Sequence, residues 1–225
     1  RFGKGIAERY LIPYNEKIWK TDPSALGLEW VGGRVPEPPL EDVLKSALGI
    51  ETEGYTHQLY FHYPRAGGIE ALVRAIEGRV RAVEKNFPVR KIRRRGGEWI
   101  VSDGRREKAY DRLVSTIPLP DLLGAMDGVP PAIRDAARGL RNNSIICVMV
   151  AFRAERPSER FAVYFPQPRL IFHRVCFYDY FGGCCTPPGV SSAVAEVTAR
   201  EGGEISAMTD EELAERVAAG LEGEG

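Results

Sequence analysis

Residues 88–117 read PVRKIRRRGGEWIVSDGRREKAYDRLVSTI. PVRKI is a strand-like run. EWIV is rich in β-branched and aromatic residues, and Asp103-Gly104 tolerates the positive φ that a two-residue hairpin turn between antiparallel strands needs. Pro118 and Pro120 are expected to end the strand that runs through LVSTI. Arginines crowd this hairpin from Arg90 to Arg106. A solvated basic edge that deters further strand pairing accounts for them more simply than nucleic-acid binding does.

Working outward, the N-terminal RFGKGIAERYLIPYNEKIW places Phe2, Ile6 and Tyr10 four apart on one helical face, and Pro13 is expected to stop that helix. A short helical piece around Leu26–Trp30 should give way to VGGRVPEPP, a Gly/Pro loop with Arg34 in it. Leu40–Leu48 fits a short helix, and ETEGYTHQLYFHYPRAGG is a loop and strand dense in aromatic residues. Gly67 and Gly68 open the clearest helix, in which Ile69, Leu72, Val73 and Ile76 repeat at i, i+3, i+4 and i+7. Downstream of the hairpin, short helices are expected around Leu119–Met126 and Ala132–Leu140. The strand-like runs IICVMVAF, FAVYF, LIFHRVCFY and SAVAEVT come next. The tail TDEELAERVAAGL starts with a capping box, Thr209 to Glu212, and lines up Leu213, Val217 and Leu221. The pattern is α+β with mixed, largely antiparallel sheets and no regular βαβ alternation.

A length of 225 residues is long for one domain and short for two. The 31 basic residues cancel the 31 acidic ones, so no global field points to nucleic acid or an anionic surface. Ile145–Phe152 is the longest apolar run and is far below a membrane span. With no basic and apolar leader at the start, a cytoplasmic protein is expected. Arg1 and the terminal GEG suggest a chain cut from something longer. Four cysteines match no zinc spacing. Cys147 and Cys176 read as buried hydrophobes, and the vicinal Cys184 and Cys185, set between glycines and prolines, as a plain loop.

No P-loop, GxSxG, HExxH or GxGxxG is present, so the common self-contained catalytic signatures are absent. His57 and His62 would fall on opposite strand faces, which disfavours a shared metal. His173 flanks Arg174 in a strand, where an arginine is buried only if it meets an anion or a ligand.

Several segments in collinear order resemble the substrate-domain half of the flavoprotein superfamily that contains monoamine oxidases, protoporphyrinogen oxidases, phytoene desaturases and UDP-galactopyranose mutases. RYLIPYNEKIW and GGRVP resemble the segment before the mutases' mobile loop and the arginine-bearing loop itself. YPRAGGIEALVRAI followed by PVRKI resembles the helix and strand that pass the adenosine part of FAD. YDRLVSTIPLPDLL is similar to the crossover returning to the flavin domain, and IFHRVCF with SAVAEVT to the strands lining the isoalloxazine and substrate cavity. Of the mutases' nucleotide-recognition segment, only Gly54, Tyr55 and Thr56 are present.

The resemblance implies FAD as cofactor, a small-molecule substrate, no nucleic acid and no integral membrane segment. It implies that the GxGxxG unit lies outside these residues. The chain would then divide into a helical substrate-domain segment with the mobile loop (1–78), a hairpin and return strand of a Rossmann-like FAD-binding domain (79–118), and antiparallel substrate-domain strands with a C-terminal helix (119–225). Val89 matches the position whose backbone meets the adenine, and Thr116 and Pro118 match the turn near the flavin edge. Arg174 matches an arginine close to flavin and substrate, with His173 beside it. Arg34 resembles the mobile-loop arginine, and Trp19 with Tyr14 would form an aromatic wall. The implied activity is hydride transfer from an organic substrate to flavin, or alternatively a mutase acting on a nucleotide sugar. A non-enzymatic binding module built on the basic hairpin is the rival from another class.

Overall fold

The computed structural model describes residues 3–29, 38–50, 52, 62–153, 160–182, 186, 187 and 189–223. Arg34, His57, Cys184 and Cys185 lie outside them. Helix α1 (Lys4–Ile6) passes through a π-helical turn, Ala7–Leu11, into α2 (Ile12–Trp19). The expectation that Pro13 stops this helix is not met. The wide π-turn has already interrupted the i→i−4 ladder, so Pro13 enters α2 in its first turn, where its missing N–H costs little. Lys20, in the left-handed conformation with φ 51°, ends it. The helix expected at Leu26–Trp30 is replaced by a 3₁₀ turn at Pro23–Ala25, where the Asp22 side chain accepts the Ser24 N–H and Leu26 is already extended. Helices α3 (Leu40–Ala47) and α4 (Glu70–Glu77) form where their periodicity places them.

The chain separates into two compact units, residues 1–75 with 143–225, and residues 76–142. The second holds an antiparallel meander of β1 (Lys91–Arg95), β2 (Glu98–Ser102) and β3 (Glu107–Tyr110), followed by α5 (Leu119–Ala125) and α6 (Pro131–Arg138). Gly96-Gly97, at φ 58° and 92°, makes the two-residue turn between β1 and β2. Asp103-Gly104 does not make the other one. The Asp103 carboxylate accepts the N–H groups of Arg105 and Arg106, and its own N–H donates to the Arg106 carbonyl, which fixes a four-residue loop instead. These bonds hold the Asp103 carboxyl down to about 2. The last strand stops at Tyr110, whose pairing with Trp99 ends the ladder to β2, and not at the prolines. The basic edge is neutralised in part: Arg93 pairs with Glu107, Lys91 with Asp127, Lys108 with Glu84, and Arg106 with Glu84 and Asp103.

In the first unit, β4 (Ser144–Arg153), β5 (Ala162–Tyr164), β6 (Arg174–Phe177) and β7 (Val190–Ala199) form one sheet in the order β4-β7-β6-β5, antiparallel throughout. The last strand is therefore inserted at the centre, which buries it. Val175, Ala193, Ala195 and Val197 alternate onto one face, where Leu170 and Phe172 join them with Val217 of α7 (Asp210–Glu222). The expected capping box starts α7, with Thr209 Oγ1 accepting the Glu212 N–H and the Glu212 carboxylate accepting the Thr209 N–H. Gly220 lets α7 approach, since a Cβ there would stand 2.8 Å from the Phe172 ring. Cys176 is buried as expected, but Cys147 is exposed, because its position in β4 faces away from this core.

One lysine joins the N-terminal helix to this sheet. Lys17, which the sequence reads as an ordinary surface residue, is 9% exposed. Its Nζ donates to the carbonyls of Phe165 (2.7 Å), Gln167 (3.0 Å) and Phe172 (2.6 Å), using all three N–H groups. Burial, assisted by the nearby charge of Lys20, lowers its pKa to about 8. Lys17→Met keeps the stem but leaves three buried acceptors empty, and should lower unfolding free energy by about 3 kcal/mol in urea titrations. A loss near zero would mean that water replaces the ammonium without cost.

Candidate functional site

The sheet face turned away from α7 carries a polar row. The register aligns Cys147 with Glu196, Glu196 with Arg174, and Arg174 with Tyr164, so one residue from each of β4, β7, β6 and β5 stands in line across the sheet. Arg174 and Glu196 form a bidentate pair, Nε to Oε2 at 2.9 Å and Nη2 to Oε1 at 2.5 Å. The Glu196 bond, with a further hydrogen bond to Tyr164, raises the guanidinium pKa against the opposing effect of burial. The anion that a half-buried Arg174 requires is therefore a protein carboxylate. Sequence reasoning misses Glu196, although an acid inside the otherwise apolar strand SAVAEVT is a visible signal that something cationic must meet it.

His173 precedes the row and is 4% exposed. Its Nε2 lies 3.5 Å from Glu196 Oε2, and its Nδ1 lies 3.3 Å from Thr198 Oγ1. Burial pushes its pKa down to about 4 despite the opposing pull of Glu196, so the imidazole is neutral at neutral pH. Tyr14 meets the His173 ring edge-on at 6.1 Å and the Tyr164 ring at 5.6 Å, and it stacks on Tyr10 at 5.4 Å. Burial raises the pKa of both Tyr10 and Tyr14, keeping the hydroxyls protonated. Burial also raises the Cys176 thiol, whose Sγ is 3.9 Å from Glu196 Oε1.

The structure thus brings Tyr14, His173 and Arg174 together. It does not bring Trp19 to them: five residues separate Trp19 from Tyr14, roughly 140° around a helix. The indole Nε1 of Trp19 donates to Asn15 at 3.2 Å, and its carbonyl accepts from Asn143 and Arg200. A second feature that sequence reasoning does not foresee is an aromatic group in which Tyr63 stacks on Phe181 at 4.4 Å and Phe161 meets Phe181 edge-on.

In the second unit a cavity of about 150 Å³ is lined by Val89, Ile92, Val101 and the run Leu113–Ile117. Val89 and Thr116 share it, and Pro118 adjoins it as the residue before α5, its carbonyl accepting the Leu122 N–H. The backbone N–H and C=O of Val89 make no hydrogen bond among the described residues, because pairing with β2 begins only at Arg90, whose N–H donates to Ser102. A donor and an acceptor side by side over an apolar cavity suit the edge of an adenine, so these residues fit the nucleotide end of FAD. Among the described residues no group of three His, Cys, Asp or Glu side chains could hold a metal ion, and no helix is long and apolar enough to cross a membrane.

Comparison with solved structures finds reduced UDP-galactopyranose mutase at TM-score 0.82 and 24% identity, over 97% of this chain and 49% of that one. A protein assigned as protoporphyrinogen oxidase, from Exiguobacterium sp. 255-15, matches at TM-score 0.57 and 18% identity, over 69% of this chain and 35% of that one. The chain thus spans about half the length of the mutase. At these identities the likeness establishes the fold, α+β with antiparallel sheets. The sequence model for flavin containing amine oxidoreductases matches residues 28–223, nearly the whole chain. On that match, this chain belongs to the flavin containing amine oxidoreductase family.

Proposed function

We propose that the chain is part of an FAD-dependent oxidoreductase that takes hydride from an organic small molecule. The observation that carries this is the Val89 backbone donor and acceptor, which make no hydrogen bond among the described residues, beside the cavity containing Thr116, set in a chain whose family is flavin-containing. Residues 79–118 are read as belonging to the FAD-binding domain, and residues 1–78 and 119–225 as the substrate-binding part. Val89 would hold the adenine through its backbone, with Thr116 and Pro118 at the turn toward the flavin.

Bound FAD supplies the hydride acceptor, and no side-chain acid or base is required of this chain. The row on the sheet face would form the substrate wall. Tyr14 and Tyr164 offer ring edges and hydroxyls, neutral His173 is held in place by Thr198 and Glu196, and Arg174 offers a fixed, oriented guanidinium. Arg34 would complete the substrate site from the mobile-loop side. A mutase using reduced FAD on a nucleotide sugar is the second reading, favoured by the TM-score of 0.82 to the mutase. The nucleic-acid alternative has less support, because basic and acidic residues balance over the chain and Arg93 and Arg106 of the hairpin are already paired with acids.

The full-length protein should purify yellow. Anaerobic bleaching of the flavin by a substrate marks the oxidoreductase, whereas turnover only after dithionite reduction, without net redox change, marks the mutase. A colourless protein that cannot be reconstituted with FAD would refute both. The 225-residue chain alone should retain little FAD, since it would carry only part of the cofactor site. Val89→Pro removes the backbone donor offered to the adenine and should weaken FAD binding in the full-length protein by roughly tenfold, as one lost hydrogen bond of about 1.4 kcal/mol requires. Unchanged affinity by fluorescence titration would take Val89 out of the site.

A further inference from the structure

The charges on the polar row cancel. Arg174 and Glu196 are opposite and paired. His173 is neutral, the Tyr10 and Tyr14 hydroxyls and the Cys176 thiol are held protonated, and the Lys17 ammonium is spent on three backbone carbonyls. The guanidinium fork that would suit a carboxylate or phosphate is filled by Glu196, which sits at the centre of the sheet with its side chain 14% exposed. An incoming anion meets a second negative charge at the same guanidinium, so attraction to Arg174 is offset by repulsion from Glu196. Arg174 still has N–H donors to spare, since a guanidinium carries five, Glu196 takes two of them and Tyr164 accepts a further bond. A neutral acceptor such as a carbonyl or hydroxyl oxygen can use a remaining donor without separating the pair. Beside the row, Ile145 and Met149 on β4 are exposed and present apolar surface.

We propose that Glu196 is the specificity-determining residue of this face: by occupying the Arg174 fork it excludes anionic substrates and selects an uncharged, largely apolar molecule with a hydrogen-bond acceptor near its reacting end. This rests on the reading of the face as the substrate wall. It runs against a nucleotide sugar, whose diphosphate would need Arg174 free.

The test uses the full-length protein holding its cofactor, with calorimetric titration of inorganic pyrophosphate as the anionic probe, benzyl alcohol as the neutral one and benzylammonium as the cationic one. Wild type should prefer benzyl alcohol. Glu196→Gln, which keeps the shape and removes the charge, should bind pyrophosphate at least tenfold more tightly than wild type, and the double variant Arg174→Gln with Glu196→Gln should lose that gain. Arg174→Gln alone leaves the carboxylate unpaired and should shift preference at least tenfold toward benzylammonium, which gives a second readout if Glu196→Gln fails to fold. Pyrophosphate binding that is tight in wild type, or unchanged in Glu196→Gln, would overturn the proposal. A protein that holds no flavin would instead end the functional reading, while the same titrations would still report the charge preference of the face.

Discussion

The first unit depends on one ammonium. The N-terminal helix and the sheet are separated by well over a hundred residues of chain, and Lys17 spans that separation with three hydrogen bonds to the carbonyls of Phe165, Gln167 and Phe172. Those carbonyls belong to the segment that leads from β5 into β6. Fixing them fixes His173, whose own backbone donates to Glu196 and accepts from Phe165. Tyr14, one turn before Lys17 on α2, is thereby placed against His173 and Tyr164. A buried charge satisfied this completely is less a source of net stability than a constraint on register and orientation. Here it determines which side chains of α2 face the sheet.

The sheet separates two jobs by strand alternation. On one face Val175, Ala193, Ala195 and Val197 are small or β-branched and build the core against α7, which Gly220 brings close. On the other, Glu196 and Arg174 occupy the same strands one residue out of phase. Because β7 lies between β4 and β6, Glu196 is flanked on both sides, by Cys147 and Arg174. Its pairing with Arg174 is thus set by topology as much as by charge. A rigid, preorganised pair is what a binding wall requires, and rotamer entropy is lost at folding and not at binding.

Much of this is legible from residue pattern. The β-branched runs at 145–152 and 192–198, the helical spacing at 210–222 and the capping box of Thr209 all appear where the periodicity puts them, because burial of one face decides those elements. The failures are local and share a cause. Average turn and breaker chemistry governs the expectation at Pro13, Asp103-Gly104 and Leu26–Trp30, while one competing contact sets each outcome: a π-turn upstream, a carboxylate accepting two N–H groups, and an Asp22 cap. Cys147 departs from expectation because an apolar strand has two faces and only one is covered by α7.

The site is half legible for a related reason. Arg174 announces itself as a cation in an apolar strand, and the demand for an anion comes from the cost of burying it unpaired. The sequence has two ways to meet that demand, a ligand or an acid of its own, and the pattern alone does not choose. The choice is made by register: with Arg174↔Glu196 directly opposite, the acid sits within bonding distance before any ligand arrives. Lys17 escapes notice by the same logic in reverse. A lysine on an amphipathic helix is usually solvated, and only the fold reveals three carbonyls converging on it. An ionisable residue in such a chain is therefore best judged by what stands opposite it across the sheet, and that depends on strand order, which no local spacing encodes.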